Sequence, residues 1–350
     1  MAREAWGRSP RLPSLAFTMA VCAVVTTLGC APRSTASASA PVLQSAPAPP
    51  VAGAARPAAA PPAAGPRLAP GDTSRLVEAA RLERLVARNL GPRVSLPESL
   101  LSAHLAAWES LGVGSRIARW AQLFASRRDN TYCFGPKPGG YVAESLLVQD
   151  RKFDCVLLFY RCTELARATS PRDAVLLALT TRFAGGDPAR VVSPAGGVDY
   201  DDPSHLDYSE DFAATGLWGR DVTREVGLAV PDSVGTSRYP AGSRWFIPTR
   251  RLRDDRLQEG DLLFFVLDER HPGAAKLRAQ FGLLVGHQGI VHVEGGEVLL
   301  LHAAQSDLQG VYTGNRVVAV PLRTYLERME RFKGILVNRI EGEGLPPSKP

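Results

Sequence analysis

Histidine is scarce here, six in 350 residues, and no histidine or cysteine pair stands at zinc-ligand spacing. That pattern argues against a metal site, and nothing else in the chain asks for a cofactor. Clustered basic charge is also missing. The formal net charge is only +6, arginines are scattered, and no basic stripe is interleaved with aromatics, so a nucleic-acid partner is not indicated. No internal repeat is present, which argues against a solenoid. Large apolar and aromatic residues are almost absent from residues 31–72, an Ala/Pro-rich stretch unable to bury enough surface to offset its chain entropy. That composition predicts a disordered, extended tether.

Before the tether stands a different pattern. Arg3, Arg8 and Arg11 precede the apolar run "LAFTMAVCAVVTTLG", which ends at Cys30. Basic, apolar, then small is the order of an export signal, and the run is short for a membrane-spanning helix. Its end, "TLGC", resembles a bacterial lipobox, although Thr27 stands where leucine is usual. The resemblance implies a signal peptide over 1–30, a lipid on Cys30 that tethers the protein to a membrane, and an outer-membrane position, since Ala31 follows the cysteine. A cell-envelope, periplasmic-side location is therefore expected.

Residues 73–130 read as a helical lead-in. "TSRLVEAARLERLVARNL" carries apolar residues at helical spacing and stops at Gly91-Pro92. "SLPESLLSAHLAAWESLG" opens with a capping-box pattern, Ser95 to Glu98, and "SRIARWAQLFAS" forms a third helix. A helix from "DCVLLFYRC" to about Ala168 follows, then another capped by Ser170 with Pro171 at its first position. Beyond the Gly- and Asp-rich stretch 185–203 the signal changes to strands: "SRWFIP", "DLLFFVL", "FGLLVGHQGIVHV", "EVLLLHAA" and "RVVAVP". A helix, "PLRTYLERMERF", and a strand, "GILVNRI", come last. Helices first and consecutive strands afterwards predict an α+β domain with helices on an antiparallel sheet, over 131–340, followed by a tail at 341–350.

Cys155 stands directly after Asp154 and before an apolar run. Three readings are open: a small buried core residue, half of a disulfide, or a nucleophile at a helix start, where the dipole and free N–H groups favour a thiolate. Among the histidines, alternation puts His287, Gly289 and Val291 on one strand face and Gln288, Ile290 and His292 on the other. His302 ends the next strand, after the turn at Gly295-Gly296, where a hairpin sets it beside His287. His104 lies mid-helix, His271 precedes a proline in a polar loop, and His205 sits among aspartates with no second histidine at metal-ligand spacing. Cys133 and Cys162 are the remaining thiols of the mature chain, and both a bridge and two free thiols fit their positions.

A cysteine at a helix start followed by histidines on later strands is the papain-like order. The motifs "KFDCVLLF", "LQEGDLLFF", "GHQGIV" and "LLHAA" resemble the NlpC-type branch of papain-like cysteine peptidases. Within it, "YVAESLL" and "SHLDYSEDF…GLWGRDVT" are most similar to the N-acetylmuramoyl-L-alanine amidase-like family, over roughly residues 141–340. The resemblance implies a Cys155, His287, His302 triad and substrate contacts from Tyr141 and Trp218. It also implies a peptidoglycan or muropeptide substrate, cleaved at the muramoyl-L-alanine amide. A stem-peptide endopeptidase and a non-catalytic envelope lipoprotein that binds wall fragments are the alternatives. After its cysteine the family usually has a hydroxyl residue and a glutamate, where this chain has Leu157 and Tyr160.

Overall fold

The computed structural model describes residues 70–206 and 209–342. The signal segment, Cys30 and residues 31–69 lie outside the described residues, as does the tail from 343. Three helices come first: α1 (Pro70–Asn89), α2 (Glu98–Trp108) and α3 (Val113–Ser126). A short parallel pair follows, β1 (Thr131–Tyr132) with β2 (Lys152–Phe153), and leads straight into α4 (Cys155–Arg167) and α5 (Pro171–Arg182).

Local chemistry sets where α4 and α5 begin. Asp154 has extended backbone and accepts from Leu157 N, and Ser170 accepts from Asp173 N ahead of Pro171. The capping box expected at Ser95 and Glu98 does not form: Pro97 holds the cap position of α2 and no side chain caps it. Ser95 instead turns its hydroxyl to Asp150, which also accepts from Leu96 N at 2.9 Å. Asp150 is fully buried and bound by Arg161 of α4 at 2.7 and 3.1 Å. A hydrogen bond from the hydroxyl to a buried carboxylate is charge-assisted and stronger than the neutral cap it replaces, so Asp150 takes the serine.

Between α5 and the sheet lie α6 (Pro188–Val191), α7 (Ser209–Thr215), β3 (Arg220–Asp221), α8 (Thr223–Val226) and β4 (Val230–Pro231). The sheet proper contains β5 (Trp245–Pro248), β6 (Leu262–Leu267), β7 (Val285–Glu294), β8 (Glu297–Ala304), β9 (Arg316–Pro321) and β10 (Phe332–Arg339). It is eight-stranded and antiparallel, in the order β4-β5-β10-β6-β7-β8-β9, with β3 also on β10. Two further helices join strands: α9 (Pro272–Phe281), which the sequence reading passed over, and α10 (Leu322–Arg328). Helix α9 carries Pro272 at its start and left-handed Gly282 at its end, punctuation that frames a helix whose interior has little amphipathic signal.

Alternation along β6 separates two cores. Leu262, Phe264 and Val266 face the cluster built with α3 and α4, while Leu263, Phe265 and Leu267 face the one built with α9 and α10. The first cluster runs continuously from Leu85, Leu101 and Trp120 to Phe153 and Phe159. The lead-in helices therefore share one core with the domain they precede. Cys133 and Cys162 are both free thiols, Cys162 buried in that core.

Helix α4 is buried from Leu157 to Arg167 and carries Arg161, Glu164 and Arg167 inside. Removing the partner of Arg161 strands a charge where water cannot reach. Asp150→Ala is expected to lower unfolding free energy by about 3–5 kcal/mol in urea denaturation. A loss under about 1 kcal/mol would show that the pair does not hold the lead-in to α4.

Candidate active site

Cys155 occupies the first position of α4 and is half-buried. Asp154 fixes that position from two sides, with Oδ1 accepting from Leu157 N at 2.7 Å and Oδ2 from Gly135 N at 2.9 Å. The Gly135 turn has no room for a side chain, since a Cβ there would lie 2.5 Å from the Tyr141 ring.

The hairpin of β7 and β8 turns through Gly295 and Gly296, both at positive φ, and so sets its register. Cross-strand pairing runs up to Ile290 with Leu301. Just past that pair His287 Nε2 lies 2.9 Å from His302 Nδ1. A bulge beside β6, with Gly286 unpaired between Val285 and His287, offsets His287 from the regular ladder. At the same place α4 meets the sheet, where the Gln288 main-chain N–H lies near enough to Cys155 to favour its thiolate. The two histidines and the thiol thus converge at one end of the sheet. His292 faces the other way, holding Gln122 of α3 through Nε2 and Glu259 at 2.8 Å through Nδ1.

Rings pack around the histidine pair. Tyr325 of α10 lies 4.9 Å from His302 and 6.0 Å from His287, Phe332 stacks on His287 at 6.3 Å, and Tyr312 meets His302 edge-on at 5.4 Å. His302 Nε2 is buried without a partner.

The electrostatics depart from expectation. Burial, reinforced by the Asp154 charge, pushes the Cys155 thiol up to about 12, despite help from the Gln288 and Cys155 amides. A helix start does not make a thiolate here, because the dipole contributes only about 0.3–2 kcal/mol. Burial, His302 and the Arg331 guanidinium hold His287 well below the usual imidazole range. Burial and Arg331 bring His302 down to about 3. The resting state is a neutral thiol beside neutral imidazoles.

Tyr141 and Trp218 are not at the surface. Trp218 is fully buried among Phe159, Tyr160 and Phe212, and Tyr141 is buried edge-on to Tyr200. Neither is placed to touch a substrate from solvent; Trp218 fills the core and Tyr141 supports the Gly135 turn. Both sit in motifs whose aromatic content serves packing. The glutamate missing at Tyr160 has a counterpart one helical turn later. Glu164 pairs with Arg182 at 2.7 and 2.8 Å, and Arg182 stacks on Tyr160 at 4.3 Å. Arg331 was not singled out from sequence, where an arginine before a strand carries no signal. Among the described residues, no group of three or more His, Cys, Asp or Glu side chains is arranged to hold a metal.

The fold is found among solved structures. A Legionella pneumophila protein of the DUF1460 family is 15% identical, covers 71% of this chain and 94% of its own, and superposes with a TM-score of 0.50. An N-acetylmuramoyl-L-alanine amidase from Bacteroides uniformis is 19% identical over 66% of this chain and 99% of its own, with a TM-score of 0.47. No protein-family model and no curated protein sequence matches the chain. The class these geometries define is an α+β domain with helices packed on an eight-stranded antiparallel sheet. The chain is structurally similar to DUF1460 and muramoyl-alanine amidase structures at low identity.

Asp154 both caps α4 and burdens the thiol, and the two roles separate by mutation. Asn keeps the acceptor for Leu157 N and removes the charge, giving up the second acceptor, which serves Gly135 N. Asp154→Asn is expected to speed iodoacetamide labelling of Cys155 at pH 8, by about tenfold for each unit its pKa falls. Burial raises Asp154 itself to about 6, so the folded state binds more protons than the unfolded one between about 4 and 6. Stability therefore falls as pH rises through that window, and Asp154→Asn should flatten the slope. Unchanged labelling would remove Asp154 from the electrostatics of the thiol.

Proposed function

We propose that the protein is a cysteine-dependent cell-envelope amidase that hydrolyses the N-acetylmuramoyl-L-alanine bond of peptidoglycan or its fragments, lipid-anchored through Cys30. The observation that carries this reading is the meeting of Cys155, at a capped helix start, with the His287–His302 pair around the Gln288 amide.

Because thiol and imidazole rest neutral, the proton leaves sulfur only as sulfur attacks the carbonyl carbon. His287 Nε2 is engaged by His302, so Nδ1 is the atom that accepts the thiol proton. Nε2–H then donates to His302 Nδ1, which assigns the proton of His302 to Nε2. His302 holds the ring and stabilises the imidazolium that forms, as the third member of a triad does. The N–H of Cys155 supplies a donor for the developing oxyanion. His287 next returns its proton to the leaving L-alanine amine as the C–N bond breaks. Water, deprotonated by His287, then releases the muramoyl acid from the thioester.

Mass spectrometry of products from purified muropeptides tests the bond assignment. Free stem peptide with an intact L-alanine amine is expected; a cut inside the stem would replace the amidase with an endopeptidase. Cys155→Ala should lower turnover by at least about 10⁴-fold with the fold preserved. His287→Gln should lose about 10²–10⁴-fold, and His302→Gln less, since an amide still accepts one hydrogen bond. Turnover by Cys155→Ala equal to the parent would end the catalytic reading, and a reversed order of the two histidines would exchange their roles.

A further inference from the structure

Arg331 is the cation whose field reaches Cys155, His287, His302, Tyr312 and Tyr325 together. Its backbone is pinned, the carbonyl accepting from Asp268 N at 2.9 Å just before β10 begins. Its guanidinium carbon sits 4.8 Å above the Phe332 ring, and Phe332 stacks on His287 at 6.3 Å. The guanidinium also lies near enough to the Tyr325 hydroxyl to ease its ionisation, against the burial that raises its pKa.

Among the described residues no carboxylate pairs with Arg331, whereas Arg323, Lys333 and Arg339 nearby in sequence all have one. Its Nε–H is buried with no acceptor. A buried donor left unmade costs about 1–3 kcal/mol, and an unpaired cation beside two imidazoles lowers their basicity, which works against a general base. Packing alone does not call for arginine here, since an apolar side chain would cover Phe332 without either cost. An incoming anion removes both, since a planar guanidinium fork matches a carboxylate.

We infer that Arg331 is the specificity residue of this site and binds a carboxylate of the substrate within reach of the scissile amide. The two ring contacts set that reach at no more than about three residues of extended chain from His287. The substrate class is thus an acylated peptide bearing a free carboxylate close to the bond cut. Its amidated counterpart is the poorer ligand. The inference rests on the amidase reading for the substrate's identity, and binding separates it from turnover. Once the anion is seated, it offsets the field of Arg331 and restores basicity to His287 when substrate is present.

The experiment compares two muramoyl-tripeptides, one with free stem carboxylates and one with the corresponding carboxamides, by calorimetry on the full chain carrying Cys155→Ala. The carboxylate form is expected to bind about 10- to 100-fold more tightly, the size of a charge-assisted pair. Adding Arg331→Met should erase that preference while leaving carboxamide affinity unchanged, and Arg331→Lys should keep part of it. Equal binding of the two ligands would overturn the inference. So would a preference that survives Arg331→Met, or an equal loss for both ligands, the mark of a purely structural role. If the preference is present and depends on Arg331 but the parent chain turns over neither ligand, this inference stands and the hydrolytic reading fails.

Discussion

One carboxylate organises the site. Asp154 ends β2's extension, starts α4 and ties down the Gly135 turn, all with two oxygens and two main-chain N–H groups. Everything that converges on Cys155 presupposes that α4 begins where it does: a start one residue later would turn the thiol by about 100° around the helix axis. The same charge makes the sulfur harder to ionise. Placement and reactivity are in conflict at this residue, and placement has prevailed.

The body of α4 shows a related compromise. A helix buried on every side is ordinarily apolar, yet this one carries Arg161, Glu164 and Arg167. Each of the first two is matched by an opposite charge from another element, Asp150 before β2 and Arg182 on α5. Such pairs add little net stability over apolar packing, but a mismatched register would leave a charge unpaired. They specify how α4 sits against its neighbours, and with it the direction in which Cys155 presents its thiol.

What was legible in the sequence was local or strictly periodic. Alternation along β7 and the Gly295-Gly296 turn were enough to bring His302 beside His287, because a two-residue hairpin leaves the register little freedom. Helix starts at Asp154 and Ser170 were legible for the same reason. Long-range competition was not. Ser95 deserts its capping box for Asp150, 55 residues away, and nothing near Ser95 announces it. Trp218 and Tyr141 looked like ligand-facing aromatics but face inward, since a motif records that a residue sits near a site, not which way its ring points. The ionisation of Cys155 depends on how deeply the thiol is enclosed, a property of the finished fold.

A thiol held at about 12 has a further consequence. At neutral pH nearly every molecule then carries the sulfur as the thiol. Peroxides and disulfides attack the thiolate, not the thiol, so the first rung of cysteine oxidation is closed to nearly every resting molecule. A ready thiolate at this position would be open to irreversible oxidation wherever reducing partners are few. Enclosed with its proton, Cys155 is chemically quiet, and that quiet follows from the same packing that slows its ionisation.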